Sequence, residues 1–380
     1  MAHYSLIYIA NARIPTEKAH GFQIVKMCEA FADNGLKVLL LVPKRKNPIK
    51  EEVFSYFGIK KNFDVKRIPV IDTVGFLGPV GYWLENLTFS LLVNLFLLSK
   101  MTKSNFIFTR DILSGFMVSF FTRKIIFEMH DFPRSYLFFW KSALKRMAGI
   151  ISTNRWKADR ISKIFIIDKS KILAMPNGFD PRLFPVNFKK DELRRKLDLP
   201  LDKVIALYSG HLYGWKGAQI MASAATFLPE VIFVFVGGTA PDLALFRKKF
   251  GSQNNILIVG HKLIKDVPFY LLAADILILP NSAKTEESTY GTSPIKLFSY
   301  MASNRPIIAS DLPSIREIVS DKEVLLVRPD DPAAIKEGIL KLIGNPGLSE
   351  SLAAKAKIKS AEFTWQKRAD RILNWSRKVL

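Results

Sequence analysis

The sequence predicts an α/β protein of two successive parallel-sheet units joined by a hinge. Three observations carry that expectation. The 380 residues exceed one ordinary domain. Short, continuously apolar strands alternate with helical stretches in two series, the pattern of parallel sheets covered on both faces. Between the series the chain carries Pro181, Pro185, Pro200 and the charge run 189–196.

Residues 5–9 read as the first strand, 11–20 as a polar loop, and 22–33 as an amphipathic helix stopped by Gly35. A second buried strand at 38–42 completes a βαβ opening. Further strands are expected at 106–109 and 125–129. The second series opens with a strand at 204–208, a loop at 209–217 and a helix to 228. A strand at 231–236 runs into Gly237-Gly238, and short strands follow at 256–259, 276–279, 306–309 and 324–327. The expected divisions are 1–183, a hinge at 184–200, and 201–362. The last stretch, 363–380, holds Trp365 and Trp375 and is read as a helix packing back on the first unit.

Composition narrows the class. Hydrophobic residues make up 49% of the chain, enough to bury a core, so disorder is excluded. The single cysteine, Cys28, lies in an apolar helical pattern and reads as a small buried hydrophobe. One cysteine rules out an intrachain disulfide framework and fits a reducing cytoplasm. The opening ten residues lack a basic flank and a cleavage site, so they read as a strand and not a signal peptide. Segment 77–99 contains Gly78-Pro79, Glu85, Asn86 and Asn94. Its uninterrupted apolar part falls short of the ~20 residues of a spanning helix, and a buried or interfacial helix is expected.

The formal charge of +22 admits three partners: nucleic acid, an anionic membrane surface, or phosphorylated substrates. No helix-turn-helix, RRM or zinc signature supports nucleic acid. Lys and Arg are densest in the first half, near Phe54, Tyr56 and Phe57 and near Phe138, Phe139 and Trp140. Basic residues beside aromatics favour an anionic membrane interface, with an ordinary solvated surface as the alternative.

Three loops are placed to meet a phosphorylated ligand, because open α/β sheets bind ligands beyond the carboxyl ends of their strands. Helix N-termini there offer free N–H groups to phosphate. The first loop ends at Gly21, which is either a tight-turn glycine or one that admits a close ligand. The second, 209–217, carries His211, three glycines and Lys216, whose ammonium can hold a diphosphate. It is not a Walker A sequence. The third leads into a helix with Ser293 as expected N-cap, Pro294 in the first turn, then Ile295 and Lys296. His130, beside Asp131, ends a strand of the first half, as a cleft-facing or a purely structural histidine. No Asp-x-Asp pair and no His pair with ligand spacing is present, which fits a metal-free site.

Taken in order, these segments resemble the family-4 retaining glycosyltransferases, also called glycosyl transferases group 1. The resemblance rests on Ser293-Pro294-Ile295-Lys296-Leu297-Phe298-Ser299-Tyr300-Met301-Ala302, on Arg305-Pro306-Ile307-Ile308-Ala309-Ser310-Asp311, on Pro176-Asn177-Gly178-Phe179-Asp180 and on Lys216-Gly217. It implies the GT-B architecture, two Rossmann-like domains facing each other across a deep cleft. It further implies that Gly21 approaches the donor diphosphate, that Lys216 holds the phosphates, and that His130 contacts the transferred sugar. The amides of residues 293–296 would cap the diphosphate. Asp131 and Asn177 would lie in the acceptor and sugar region. The chain departs from the family at two places. His211 stands where the family usually has arginine. Gly291 and Ser299 stand where it has a pair of glutamates, the second of which binds ribose.

The expected activity is transfer of a hexose, with retention, from a UDP- or GDP-linked sugar to a glycan or lipid-linked acceptor. No other cofactor is expected. The expected location is cytoplasmic, peripheral on the inner face of the membrane. The alternatives are a nucleotide-sugar 2-epimerase of the same fold and a non-catalytic transferase subunit.

Overall fold

The structure, a computed structural model, describes residues 4–99, 105–184 and 188–380. It divides into two compact units, Met1–Pro176 with Trp365–Leu380, and Asn177–Thr364.

The first unit is built on seven parallel strands: β1 (Leu6–Ile9), β2 (Val38–Lys44), β3 (Asp64–Pro69), β4 (Phe106–Thr109), β5 (Ile125–Met129), β6 (Gly149–Ser152) and β7 (Ile172–Ala174). Their order is β3-β2-β1-β4-β5-β6-β7, so the chain reverses direction of travel between β1 and β4. The helices are α1 (Ala19–Asp33), α2 (Val53–Phe57), α3 (Val74–Leu98), α4 (Ile112–Val118), α5 (Leu137–Lys145) and α6 (Arg155–Phe165). Side chains alternate across the sheet. Ile7 and Ile9 face a core shared with Phe89 and Val93 of α3, Val118 of α4 and Leu144 of α5. The Tyr8 and Phe108 rings meet at a tilt, centroids 4.9 Å apart, on the opposite face, where Phe31 of α1 meets Phe108.

Sequence reasoning found α1 because its apolar period is clear and Gly35 (φ +83°) takes the left-handed position after it. It missed β3, β6 and β7. β3 is an edge strand whose exposed Lys66 and Arg67 interrupt the apolar run. β6 and β7 have only four and three residues. Helix α3 is kinked at Gly78 (φ +51°, ψ −124°), ahead of Pro79, which has no N–H to donate. Its polar residues Glu85, Asn86, Ser90 and Asn94 are buried while much of its apolar surface is exposed.

The second unit holds six parallel strands: β8 (Val204–Ser209), β9 (Val231–Val236), β10 (Ile256–Gly260), β11 (Ile276–Leu279), β12 (Ile307–Ser310) and β13 (Leu325–Val327), in the order β10-β9-β8-β11-β12-β13. Its helices are α7 (Lys190–Lys196), α8 (Ala218–Ala224), α9 (Ala240–Phe250), α10 (Val267–Ala273), α11 (Ile295–Ala302), α12 (Pro313–Arg316), α13 (Pro332–Ile343) and α14 (Pro346–Ser360). Leu207 and Val234 point into one core layer; Ala206, Tyr208, Phe233 and Phe235 point into the other.

The division falls at Pro176/Asn177, and the stretch expected as a hinge is structured within the second unit. Leu193 is fully buried there. Arg194, equally sealed, donates to Ala273 O at 2.9 Å and to Asp275 at 2.6 Å. Those partners lie some 80 positions away, so the charge run alone gave no sign of them. Pro185 lies outside the described residues. The last helix, α15 (Trp365–Val379), belongs to the first unit, where it packs on α1. Trp375 sits so close to Gly149 that a Cβ there would fall 2.4 Å from its ring.

Candidate functional site

In the second unit the topological switch point lies between β8 and β11, where ligands of open α/β sheets bind. Two of the three loops singled out from sequence end up there: 209–217 leaves β8, and the one carrying Ser293 and Pro294 lies between β11 and α11. They touch. Gly217, at φ +75°, lies so close to Pro280 that a Cβ would sit 1.6 Å from its carbonyl oxygen. Ser282 N–H donates to Trp215 O at 3.0 Å.

Two lysines converge on this point without a carboxylate partner among the described residues. Lys296 lays its ammonium over the Tyr208 ring, 3.7 Å from the centroid, and its Nζ is sealed from solvent with no hydrogen bond. Burial, then the charge of Lys216, pushes its pKa well below the usual lysine range. Lys216 packs over Tyr213 and Trp215 at 5.5 and 5.2 Å, and burial brings it down to about 8. His211 stacks on Tyr213 at 4.9 Å. Its Nδ1 is buried without a partner, and burial followed by Lys216 lowers its pKa. Ammonium groups depressed by burial, Lys296 also by the charge of Lys216, mark a place where an anion would be stabilised.

The expected start of α11 shifts by one residue. Pro294 is the N-cap and the helix begins at Ile295. Ser293 is otherwise engaged: its hydroxyl accepts from Asn177 N–H at 3.1 Å and its carbonyl accepts from the Asn177 side chain at 2.8 Å. Asn177 therefore braces the loop before α11 from within the second unit. Ser299 lies on α11, half-buried. At Gly291 the structure supplies a feature that sequence reading missed. A Cβ at that position would meet the Glu287 carboxylate at 2.4 Å, so Glu287 fills the space of the absent side chain. The two belong to a π-helical turn, Glu287–Gly291, a geometry common at functional sites.

In the first unit the switch point lies between β1 and β4. Gly21 lies inside the first turn of α1, not before the helix. Its missing side chain makes room for Thr16, whose methyl would be 2.3 Å from a Cβ. His130 follows β5, and its Nε2 is 3.3 Å from Glu128 Oε2. Asp131 is exposed. Arg110, at the end of β4, went unnoticed in the sequence because nothing local distinguishes it. Burial first, then Arg110, lowers both His130 and His20 to about 4. Asn11 donates to Asn86 at 2.7 Å and to Glu85 at 3.2 Å, so α3 is tied to the same end of the sheet. Glu85 is raised by burial.

Among the described residues no three His, Cys, Asp or Glu side chains are grouped to hold a metal ion.

Residues 189–359 match the family model Glycosyl transferases group 1. A D-inositol 3-phosphate glycosyltransferase of Xylanimonas cellulosilytica is 24% identical over 239 residues, 60% of this chain and 56% of that protein. An uncharacterized glycosyltransferase of Methanocaldococcus jannaschii is 30% identical over 230 residues, 56% of each. The chain spans about half the length of the curated relatives it matches. Among solved structures, Anabaena Alr3699/HepE in complex with UDP aligns with a TM-score of 0.73 at 16% identity, covering 98% of this chain and 99% of that one. The fold is therefore that of the GT-B glycosyltransferases.

Proposed function

We propose that this chain, whose residues 189–359 match the model of glycosyl transferases group 1, transfers a hexose from a nucleotide diphosphate sugar to a glycan or lipid-linked acceptor. One observation carries the reading: Lys216 and Lys296 converge on the carboxyl ends of β8 and β11, without a counter-ion among the described residues. A diphosphate supplies the charge they lack. In such a reaction the barrier lies in departure of the nucleotide diphosphate, and fixed positive charge stabilises it as it leaves. Lys216, Lys296 and the amides at the start of α11 fill that role. His211 occupies the family's arginine position, and Ser299 replaces the carboxylate expected to grip the ribose. By the family resemblance, Gly21 belongs to the donor-diphosphate side, and His130 and Asp131 to the sugar and acceptor side. Transfer proceeds with retention, an assignment that rests on family resemblance, and without a metal ion. A relative whose name is a glycosyltransferase and a UDP-bound structure of the same fold support a nucleotide-sugar donor. The charge of +22 supports work at the cytoplasmic face of a membrane.

The test is to incubate the chain with UDP- and GDP-hexoses and measure nucleotide release and sugar transfer, with and without EDTA. Release that survives chelation is expected. Full loss, restored by manganese or magnesium, refutes the metal-free site. An epimerised sugar in place of a transferred one refutes the transferase.

A further inference from the structure

Helix α3 is amphipathic the wrong way round for a soluble protein. Its polar residues face inward: Asn86 accepts from Asn11 at 2.7 Å, Ser90 meets Ser114 at 2.9 Å, and Asn94 donates to Ser90 O. Its one charged residue, Glu85, is 1% exposed. Val80, Leu84, Leu87, Leu91, Leu95 and Leu98 recur at spacings of three and four, and all stand exposed. The stripe is about 27 Å long at 1.5 Å per residue. Trp83, 58% exposed, stands beside it. α3 is long and apolar enough to cross a membrane, but its inner face is already committed to the sheet through Phe89, Val93 and Leu97.

Beside the stripe runs a groove of about 800 Å³ between α3, the end of β3 and α4. Its walls include Val70, Ile71, Leu91, Leu95, Phe120 and Phe121. The lining has two polar side chains, and both turn their donors back to the helix: Thr88 to Leu84 O at 2.8 Å, Asn94 to Ser90 O at 2.7 Å. Beyond the Asn94 amide, whose Oδ1 is buried without a hydrogen bond, the lining side chains are apolar or already bonded to the helix.

The rim is cationic. Arg146 stacks on Phe120 at 4.1 Å, and Arg123 donates to Arg146 O. Lys66, on the same face of β3 as the buried Ile68 that packs with α3, is exposed. Of the aromatics first associated with a membrane, Phe57 is buried, Phe139 packs on Phe116 and Trp140 packs on Phe127; Phe138 stays exposed. The apolar surface has therefore moved from those clusters to α3 and α4.

We propose that α3 beds its apolar stripe in the hydrocarbon edge of an anionic bilayer, with one acyl chain of that bilayer seated in the groove. Charge selects this occupant. A second copy would bring another +22 against the same basic rim, whereas anionic headgroups neutralise it. Apolar area supplies the remaining attraction, as for interfacial helices. The inference rests on the membrane-side part of the proposed function and names the surface that would make that contact.

The test is sedimentation of the full chain with phosphatidylcholine vesicles, with and without phosphatidylglycerol, for wild type, Leu91→Glu/Leu95→Glu and Trp83→Phe. Wild type should bind the anionic vesicles at low salt, and the double variant about tenfold less. Vesicles with brominated acyl chains should quench tryptophan emission of wild type more than that of Trp83→Phe. Nucleotide binding unchanged in the double variant shows that its fold is intact. The proposal is overturned by absent wild-type binding, by equal binding of the double variant, or by quenching that Trp83→Phe leaves unaltered. Self-association in buffer that the double variant abolishes also overturns it, since a second copy then covers the face. Vesicle binding in a chain that binds no nucleotide would count against the transferase and leave this surface standing.

Discussion

Arg368 of the last helix donates to the carboxylate of Glu128 at the end of β5, and the two side chains are 2% and 3% exposed. The same guanidinium donates to Pro176 O at 2.9 Å, where the chain leaves the first unit. Burial alone would raise Glu128, but Arg368 and then His130 outweigh it and hold the acid well below its usual range. Glu128 in turn faces His130 at 3.3 Å. The C-terminal helix is thereby coupled to the end of the first sheet.

Removing one partner of this pair strands the other. Arg368→Met should cost about 3–5 kcal/mol in urea unfolding, the usual loss when a buried ion pair is broken from one side. Adding Glu128→Gln to it should recover part of that loss. The contribution of Glu128 is present above the unfolded carboxyl value of 4.5 and is lost as pH falls through its lower folded value.

His20 and His130 act in the same direction, in a higher pH window. Each is held neutral to about 4, against 6.5 in the unfolded chain. The unfolded state binds more protons throughout that window, so stability should fall as pH drops from about 6.5 to about 4. His20→Asn or His130→Asn should reduce the slope of melting temperature against pH there. An unchanged slope in both variants contradicts the assignment.

Burial brings Lys216 down to about 8. A bound diphosphate favours the charged form, so binding at pH 8 should take up about half a proton from this group. Calorimetry in buffers of different ionisation enthalpy measures that uptake directly. It should fall in Lys216→Met.

Gly217→Ala should damage the second switch point. The new methyl has no room beneath Pro280 O, and φ +75° disfavours any side chain. A loss of about 1–3 kcal/mol in stability is expected for strain at such a position. Nucleotide affinity should fall with it. Gly214→Ala, where nothing lies within 4 Å, is the control.

Much of this was legible in the sequence where the information is local. Buried parallel strands are continuous apolar runs, so β1, β2, β8 and β9 stood out. Lys216 announced itself by sitting among glycines. What could not be read depends on partners far along the chain. Ser293 looks like an N-cap, yet Asn177, 116 positions away, claims it and moves the helix start to Pro294 and Ile295. Glu287 replaces a side chain missing at Gly291 only because a π-helical turn folds it back. Arg194 sits in a charge run that reads as solvated linker until Asp275 is seen beside it. The inverted face of α3 has the composition of a core helix, and only burial shows which side is out.

The most direct measurement is a calorimetric titration of wild type and Lys216→Ala with UDP, GDP and their nucleosides. Wild type should bind at least one diphosphate. The variant should lose about 1.5–3 kcal/mol against that diphosphate, the worth of a charge-assisted hydrogen bond, and little against the nucleoside. Equal losses for both ligands, or no diphosphate binding by wild type, would contradict a donor site built on Lys216 and Lys296.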